Sequence, residues 1–328
     1  MWKPTPKGLP RSIYRQKNNM SSAPHLPVLL NEIITALQPQ PSGRYIDGTL
    51  GAGGHSFHIL EASSPSGQLL GLDLDPQAIG LATKRLEQYG QRAIIRQSSY
   101  ADMVEEAANL GWNEVDGILL DFGVSSMQID SPERGFSFLT EGPLDMRFST
   151  NAKRSAADLV NQLPEDEIAD IIFRYGEDRN GRKIARTIVK NRPFATTTQL
   201  ADLIKKHHSS GEKNHPATRT FQALRIAVND ELNIIEAILP QAIKLLKLGG
   251  RLAVISFHSL EDRIVKDCFR TESTDCLCPP RQPICNCGHK AAIKLINRKP
   301  IIADEVEIKQ NSRSRSAKLR IAEKIWQP

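Results

Sequence analysis

Several features are missing from this 328-residue chain, and each absence closes an option. No stretch approaches the roughly 18 to 20 unbroken apolar residues that cross a bilayer. No charged start leads into the apolar core of a secretory signal, so a cytoplasmic protein without a membrane anchor is expected. No internal repeat is visible, and the 21 glycines and 20 prolines are too dispersed for a fibrous or low-complexity chain. With 40% hydrophobic and 24% charged residues the composition is that of an ordinary globular protein, which excludes collagen, coiled coil and wholesale disorder. Acidic residues are absent from residues 1–20, which carry five basic ones. Residues 281–328 hold eleven basic and four acidic residues, so with +6 overall the stretch 21–280 carries −6. Basic ends on an acidic body are suited to a polyanion or are simply solvated tails.

Residues 1–24 are polar, basic and without apolar periodicity, and read as a disordered arm. They lack the amphipathic Arg and Ser pattern of an organellar leader. From residue 25 short apolar runs alternate with helical stretches: strands are expected at Arg44 to Ile46, Gln68 to Leu72, Ala93 to Ile95, Gly117 to Leu120 and Arg251 to Ser256. This is the rhythm of a doubly wound α/β sheet. Between Ser131 and His215 the rhythm stops and four helical segments follow one another, near 156–163, 165–175, 182–191 and 199–207. One or two long helices then run from His215 to Leu248, with Phe221, Leu224, Val228 and Leu232 on a core face. The expected organisation is a discontinuous α/β domain, residues 25–130 and 216–328, with residues 131–215 as an inserted all-α domain.

The segment Tyr45 to Ser56, YIDGTLGAGGHS, ends a strand and opens a helix with four glycines in seven positions. Glycine permits a tight turn and close ligand approach, and the helix N-terminus offers free N–H groups to an anion. Asp73 follows Gly51 by 22 residues at the end of the next strand, where a carboxylate accepts ribose hydroxyls. The loop departs from GxGxxG and has Asp47 before it. An aspartate is unwelcome beside a dinucleotide pyrophosphate, whereas the sulfonium of S-adenosylmethionine favours acidic neighbours such as Asp47 and Asp121. A tight turn with a capping aspartate is the bland alternative.

Asp121 closes the fourth strand, and Gly123, Ser125 and Ser126 follow it at once. Methyl transfer to an amine needs acceptors for the N–H hydrogens and close backbone approach, both of which this stretch supplies. A strand-end turn with capping serines explains the same residues without chemistry.

Nine blocks carry a resemblance: HLPVLLNE from His25, DGTLGAGGHS from Asp47, DLDPQAI from Asp73, DGILLDFGVSSMQID from Asp116, RGFSF from Arg134, GPLDMR from Gly142, HPATRTFQALRIAVNDEL from His215, GGRLAVISFHSLEDRIVK from Gly249 and RSAKLRIAEK from Arg315. In this order they closely resemble the RsmH (MraW) family, bacterial S-adenosylmethionine-dependent methyltransferases that modify the exocyclic amine (N4) of a cytosine in the decoding region of 16S ribosomal RNA. The resemblance implies a Rossmann-like class I methyltransferase sheet with a helical insertion. It implies that Gly53, Gly54 and His55 contact the cofactor, that Asp73 holds its ribose, that Tyr100 lies near the adenine, and that Asp121 and Gln128 complete the pocket. Asp121, Ser125 and Ser126 are the catalytic candidates. The expected partner is 16S rRNA within the 30S subunit or a late assembly particle, and a homodimer stays open.

A flipped cytosine and its flanking phosphates need edge contacts and basic groups. Arg147, Arg219, Arg225 and His258 are the candidates, each with an ion pair or a structural histidine as the plainer reading. Arg313, Arg315, Lys318 and Arg320 read as a phosphate-facing patch. His58, His207 and His208 read as surface residues. The five cysteines all fall between Cys268 and Cys287, and four of them, Cys276, Cys278, Cys285 and Cys287, form two CxC pairs six residues apart. CxC suits tetrahedral zinc less well than CxxC, so reduced thiols on a surface loop are expected and no metal is assigned. Three rival functions remain. A nicotinamide-dependent dehydrogenase would leave Asp47 and Asp121 unexplained, and a ribosome-binding factor would use only the basic ends. A DNA cytosine-amine methyltransferase would need a Ser-Pro-Pro-aromatic turn after Asp121, which is absent.

Overall fold

The computed structural model describes residues 27–149, 152–208, 215–279, 282 and 284–326, with the side chain of Ser126 outside that set. The expectations for residues 1–24 and for His25 therefore lie outside the described residues. The strands are β1 (Arg44–Asp47), β2 (Gln68–Asp73), β3 (Ala93–Gln97), β4 (Val115–Asp121), β5 (Leu246–Ser256), β6 (Ile293–Leu295) and β7 (Lys318–Lys324). They form a seven-stranded sheet in the order β3-β2-β1-β4-β5-β7-β6. All neighbours are parallel up to β5; β7 runs antiparallel to both β5 and β6. The chain order reverses between β1 and β4, so a crevice opens there beyond the strand ends. Asp47 and Asp121 are the last residues of those two strands.

The helices are α1 (Leu30–Leu37), α2 (Gly54–Ala62), α3 (Pro76–Leu86), α4 (Met103–Asn109), α5 (Ser126–Asp130), α6 (Ala156–Gln162), α7 (Glu165–Gly176), α8 (Gly181–Lys190), α9 (Thr197–His207), α10 (Thr218–Asn229), α11 (Glu231–Leu245), α12 (Ser259–Glu272) and α13 (Glu305–Gln310). Alternate residues of each strand point to opposite faces. Ile46, Leu70, Leu72, Ile118, Leu120 and Val254 share one core with α4, α11 and α12. Tyr45, Leu69, Leu119 and Ile255 share the other with α1, α2 and α3. Each fully buried leucine or isoleucine contributes on the order of 2 kcal/mol, so both faces hold the sheet rigid beneath the crevice.

A third core lies off the sheet and is built by α6 to α10, with Leu159, Ile172, Ile184, Ile188, Leu200 and Ile204 at its centre. Serine and threonine fix two helix starts: Ser155 and Thr196 each form a capping box with the residue three positions on. The cap of α9 is thus Thr196, and the helix starts at Thr197, two residues before the expected 199. Phe221 and Leu224 of α10 belong to this third core, while Leu232 of α11 packs on the sheet. The helical unit accordingly draws on residues past 215. The four-residue helical spacing from Phe221 to Leu232 spans two helices and two cores, because Asp230 adopts a left-handed conformation (φ 51°) between them.

Candidate functional site

The loop after β1 is fixed on both sides by backbone pairing: the N–H of Gly48 donates to Leu119 O (3.0 Å) and that of Leu50 to Leu72 O (2.9 Å). Gly51 (φ 50°) and Gly53 (φ 74°) adopt the left-handed region, and Gly53 caps α2. A Cβ on Gly53 would also meet Ala82 Cβ at 3.3 Å, so turn and packing both require glycine. Asp73 accepts the N–H of Gly51 (2.8 Å) on one oxygen and that of Asp75 (2.9 Å) on the other. Each oxygen keeps a lone pair. The first-turn amides of α2, at Gly54, His55 and Ser56, sit at a helix N-terminus and favour a carboxylate.

Three ionisable groups converge beside this loop. Asp47 is 1% exposed, accepts from Ser56 Oγ (2.6 Å) and from the N–H of Thr49 (3.2 Å), and is still pushed up to about 6 because burial outweighs those bonds. Asp121 is held in register by its N–H donating to Thr49 Oγ1 (2.7 Å). Its carboxyl is raised well above the usual range by burial, then by the negative charges of Asp47 and Glu261. His55 is buried and driven down to about 3 by burial, then by the charges of His58 and Arg85, so its ring is neutral. Among the described residues neither ring nitrogen of His55 nor Oδ1 of Asp121 has a hydrogen-bond partner. A buried polar atom without a partner costs about 1 to 3 kcal/mol, and three at one strand end fit a site made for a polar ligand.

Behind them lies a buried charge network. Arg225 of α10 donates Nε and Nη2 to the two oxygens of Glu231, each at 2.8 Å, and its Nη2 is 3.7 Å from Glu261. Glu261 accepts the N–H of Phe257 (2.7 Å) and of His258 (3.2 Å), and His258 Nε2 lies 2.9 Å from its other oxygen. Burial alone would raise Glu261; the bond and charge of His258 with the charge of Arg225 hold it lower. Tyr100 packs its ring 5.7 Å from that of Phe122, and burial, then the charges of Glu231 and Glu261, raises its hydroxyl. The phenol stays neutral beside the network.

A second set of contacts shapes the rim after β4. Ser125 caps α5 through a capping box, Gln128 accepting the N–H of Ser125 (3.1 Å) while donating Nε2 to Asp75 (3.1 Å). Arg134 pairs with the same Asp75 and donates to the carbonyls of Arg147 (3.1 Å) and Phe148 (3.0 Å). One buried aspartate thus ties the stretch after β4 to the end of β2.

Asp73, Gly53, Gly54, His55 and Asp121 therefore meet at the β1/β4 switch point, with Tyr100 and Gln128 at its borders. The basic candidates fare differently. Arg225 commits its guanidinium to Glu231 and Glu261, and its side chain is only 15% exposed. His258 caps α12 and faces Glu261. Arg147 pairs with Asp145 (2.8 Å) and donates to Ala152 O (2.9 Å); Arg219 reaches the carbonyl of Glu177 (3.4 Å). Of Arg313, Arg315, Lys318 and Arg320, Arg315 is exposed and the others have acidic partners. Lys318 and Arg320 belong to β7 and pair with Asp262, and Arg313 pairs with Asp130 (3.0 Å). Sequence reasoning missed Asp75, Arg134, Glu231 and Glu261. Glu261 left a local signal as the fourth residue of a capping-box pattern, HSLE, and Asp75 left one as the capping aspartate before Pro76.

The model of the MraW methylase family matches residues 22–325. A protein named ribosomal RNA small subunit methyltransferase H from Dehalococcoides mccartyi (strain 195) is 52% identical over 310 residues, covering 94% of this chain and 89% of that protein. Proteins of the same name from Citrifermentans bemidjiense and Heliobacterium mobile are 52% and 50% identical, covering 92% of this chain and 98% and 99% of theirs.

Proposed function

Because the chain belongs to the MraW methylase family, we propose that the crevice between β1 and β4 transfers a methyl group from S-adenosylmethionine to the exocyclic amine (N4) of a cytosine in 16S rRNA of the small ribosomal subunit. The observation that carries this reading is Asp121. It ends β4 at the switch point with a carboxyl oxygen that lacks a partner among the described residues, beside a neutral histidine.

The residues present fit the cofactor. The α2 amides at Gly54 and His55 suit its carboxylate, the free lone pairs of Asp73 suit ribose hydroxyls, and the ring of Tyr100 offers a flat face to the base. The raised carboxyls of Asp47 and Asp121 suit a positive charge. When bound, S-adenosylmethionine supplies an electrophilic methyl on a sulfonium. Asp121 and the backbone from Gly123 to Ser126 orient the amine by accepting its N–H hydrogens, so that the lone pair points at the methyl. Ser125 acts through its cap on α5, and Gln128 through its bonds to Ser125 and Asp75; both are positioning residues. No strong base is needed, since the aminium product loses its proton readily.

The family resemblance further supports a cytosine in the decoding region, met in the 30S subunit or a late assembly particle in the cytoplasm. The rRNA docks between the helical unit and the carboxyl edge of the sheet, near Arg147 and Arg219. No helix among the described residues is long and apolar enough to cross a membrane. Mass spectrometry of 16S rRNA from cells with and without the gene tests the reading. The expected result is loss of one N4-methylated cytidine, restored by the wild-type gene but not by Asp121→Ala. Unchanged methylation overturns it.

A further inference from the structure

The loop between α12 and β6 has no part in the crevice. It leaves the far end of α12, which at about 1.5 Å per residue over 14 residues lies about 20 Å from His258 at the helix start. All four cysteines of the two CxC pairs turn inward on this loop. Their sulfurs, one from each of Cys276, Cys278, Cys285 and Cys287, lie within 4.8 Å of one another. The separations are 3.4 Å for Cys276 to Cys285, 3.6 Å for Cys285 to Cys287, 3.9 Å for Cys276 to Cys287 and 4.0 Å for Cys278 to Cys285.

These distances select among the possibilities. A disulfide needs about 2.05 Å between sulfurs, and every pair is well beyond it. A tetrahedron of thiolates at the Zn–S distance of about 2.3 Å has edges of about 3.8 Å, near the middle of these four separations. Carboxylate-preferring ions do not select four sulfurs, whereas zinc does. The surrounding bonds are of the kind that orient metal-bound thiolates: the N–H of Leu277 points at Cys287 Sγ (3.4 Å), and Gly288, directly after the last cysteine, adopts φ 62° to turn the chain. The loop's return is pinned by His289 to Thr271 O (3.0 Å) and by the N–H of Ala291 to Asp275 (3.2 Å). The spacing objection raised by CxC is thereby answered in space, because each pair contributes two sulfurs to one cluster from opposite limbs of the loop.

We propose that Cys276, Cys278, Cys285 and Cys287 bind one zinc ion as four thiolates, a structural site that fastens the loop beside the three-residue edge strand β6. Binding forms four Zn–S bonds and releases the thiol protons to solvent, with no change of oxidation state. Ile293 of β6 is buried in the sheet core, so the ion holds a loop whose release would loosen that edge.

The full chain, expressed in zinc-supplemented medium and purified without chelator, is expected to carry one zinc per chain by elemental mass spectrometry. Mercurial titration of its thiols should release that zinc in step, and Co²⁺ added to the stripped protein should give the visible bands of tetrahedral thiolate coordination. Cys285→Ser and the double variant Cys276→Ser/Cys287→Ser should each hold less than about a tenth of the zinc while binding S-adenosylmethionine as the wild type does. If these variants do not fold, the stripping and cobalt reloading of the wild-type chain still read the site. Wild-type protein with four free thiols and no metal, with iron in place of zinc, or with two disulfides in non-reducing peptide maps overturns the proposal.

Discussion

His55 Nε2 and Asp121 Oδ2 lie 3.8 Å apart, with side chains 8% and 23% exposed. At that distance a protonated histidine and an ionised aspartate would form an ion pair, yet burial drives the ring down to about 3 and the carboxyl upward. Burial therefore works against both charges where the two groups face each other in the crevice. That makes the site responsive to a ligand's charge.

Cofactor binding should be coupled to proton release. Asp47 and Asp121 both hold their protons above the ordinary range, and a cation in the crevice favours their ionised forms. Affinity for S-adenosylmethionine should thus rise with pH, by up to about tenfold per unit for each proton released, and level off for Asp47 as pH passes about 6. His55, already neutral there, adds nothing. S-adenosylhomocysteine has no sulfonium charge and should release fewer protons. Calorimetry of each ligand in two buffers of different ionisation enthalpy counts them; equal counts for both ligands would refute the coupling.

Asp73→Ala removes the acceptor of two backbone N–H groups as well as the carboxylate assigned to the ribose. Losing charged hydrogen bonds of this kind costs about 1.5 to 3 kcal/mol, or roughly tenfold to a hundredfold in affinity. Asp73→Asn, which keeps one acceptor, should lose less. Unchanged cofactor affinity in Asp73→Ala would show that this carboxylate has no role in binding.

Gly53→Ala should weaken both fold and cofactor binding, because alanine at φ 74° is strained and its methyl group meets Ala82. A cost of about 1 to 3 kcal/mol is expected in thermal unfolding. The counterpart Gly80→Ala, where a Cβ would meet nothing within 4 Å, should be neutral or stabilising in the same assay.

Arg225→Ala leaves Glu231 buried without its cation and Glu261 with His258 alone, and should destabilise the protein by about 3 to 5 kcal/mol in chemical denaturation. Arg225→Lys keeps the charge but loses the two-pronged geometry and should fall between. A variant of full stability whose only defect is RNA affinity would instead return Arg225 to the substrate side.

The parts of the site that could be read along the chain are those built locally. Gly51, Gly53 and Asp73 lie in one strand–loop–helix–strand unit, so glycine and aspartate at their positions have few other uses. The four helices from α6 to α9 carry their own apolar periods, and α6 and α9 their own caps. What could not be read depends on partners distant in sequence. Lys318 and Arg320 look like a basic patch until β7 brings them against Asp262, 56 and 58 residues earlier. Arg225 looks like a phosphate ligand until Glu231 and Glu261 close around it. The strand β7 itself escaped notice because its charged residues are buried by pairing, Lys324 reaching the carbonyl of Lys244 (2.6 Å), which masks the alternation that marks an ordinary strand. The apolar run that starts at Arg251 is only the second part of β5, which begins at Leu246 with a register irregularity against β4 around the Gly249–Gly250 pair.

The position of β7 has a consequence for how the molecule is made. The strand β7 follows β6 in the chain yet occupies an interior place in the sheet, between β5 and β6. During synthesis β5 must wait with one edge unpaired, and β6, only three residues long, has no neighbour at all until β7 arrives. The crevice between β1 and β4 can form early, from β1 to β4 together with β5, but the half-sheet beside it closes only once β7 is made. Shortening the chain from its C-terminal end would therefore remove a central seam rather than trim a border, and would strand the edge that follows it.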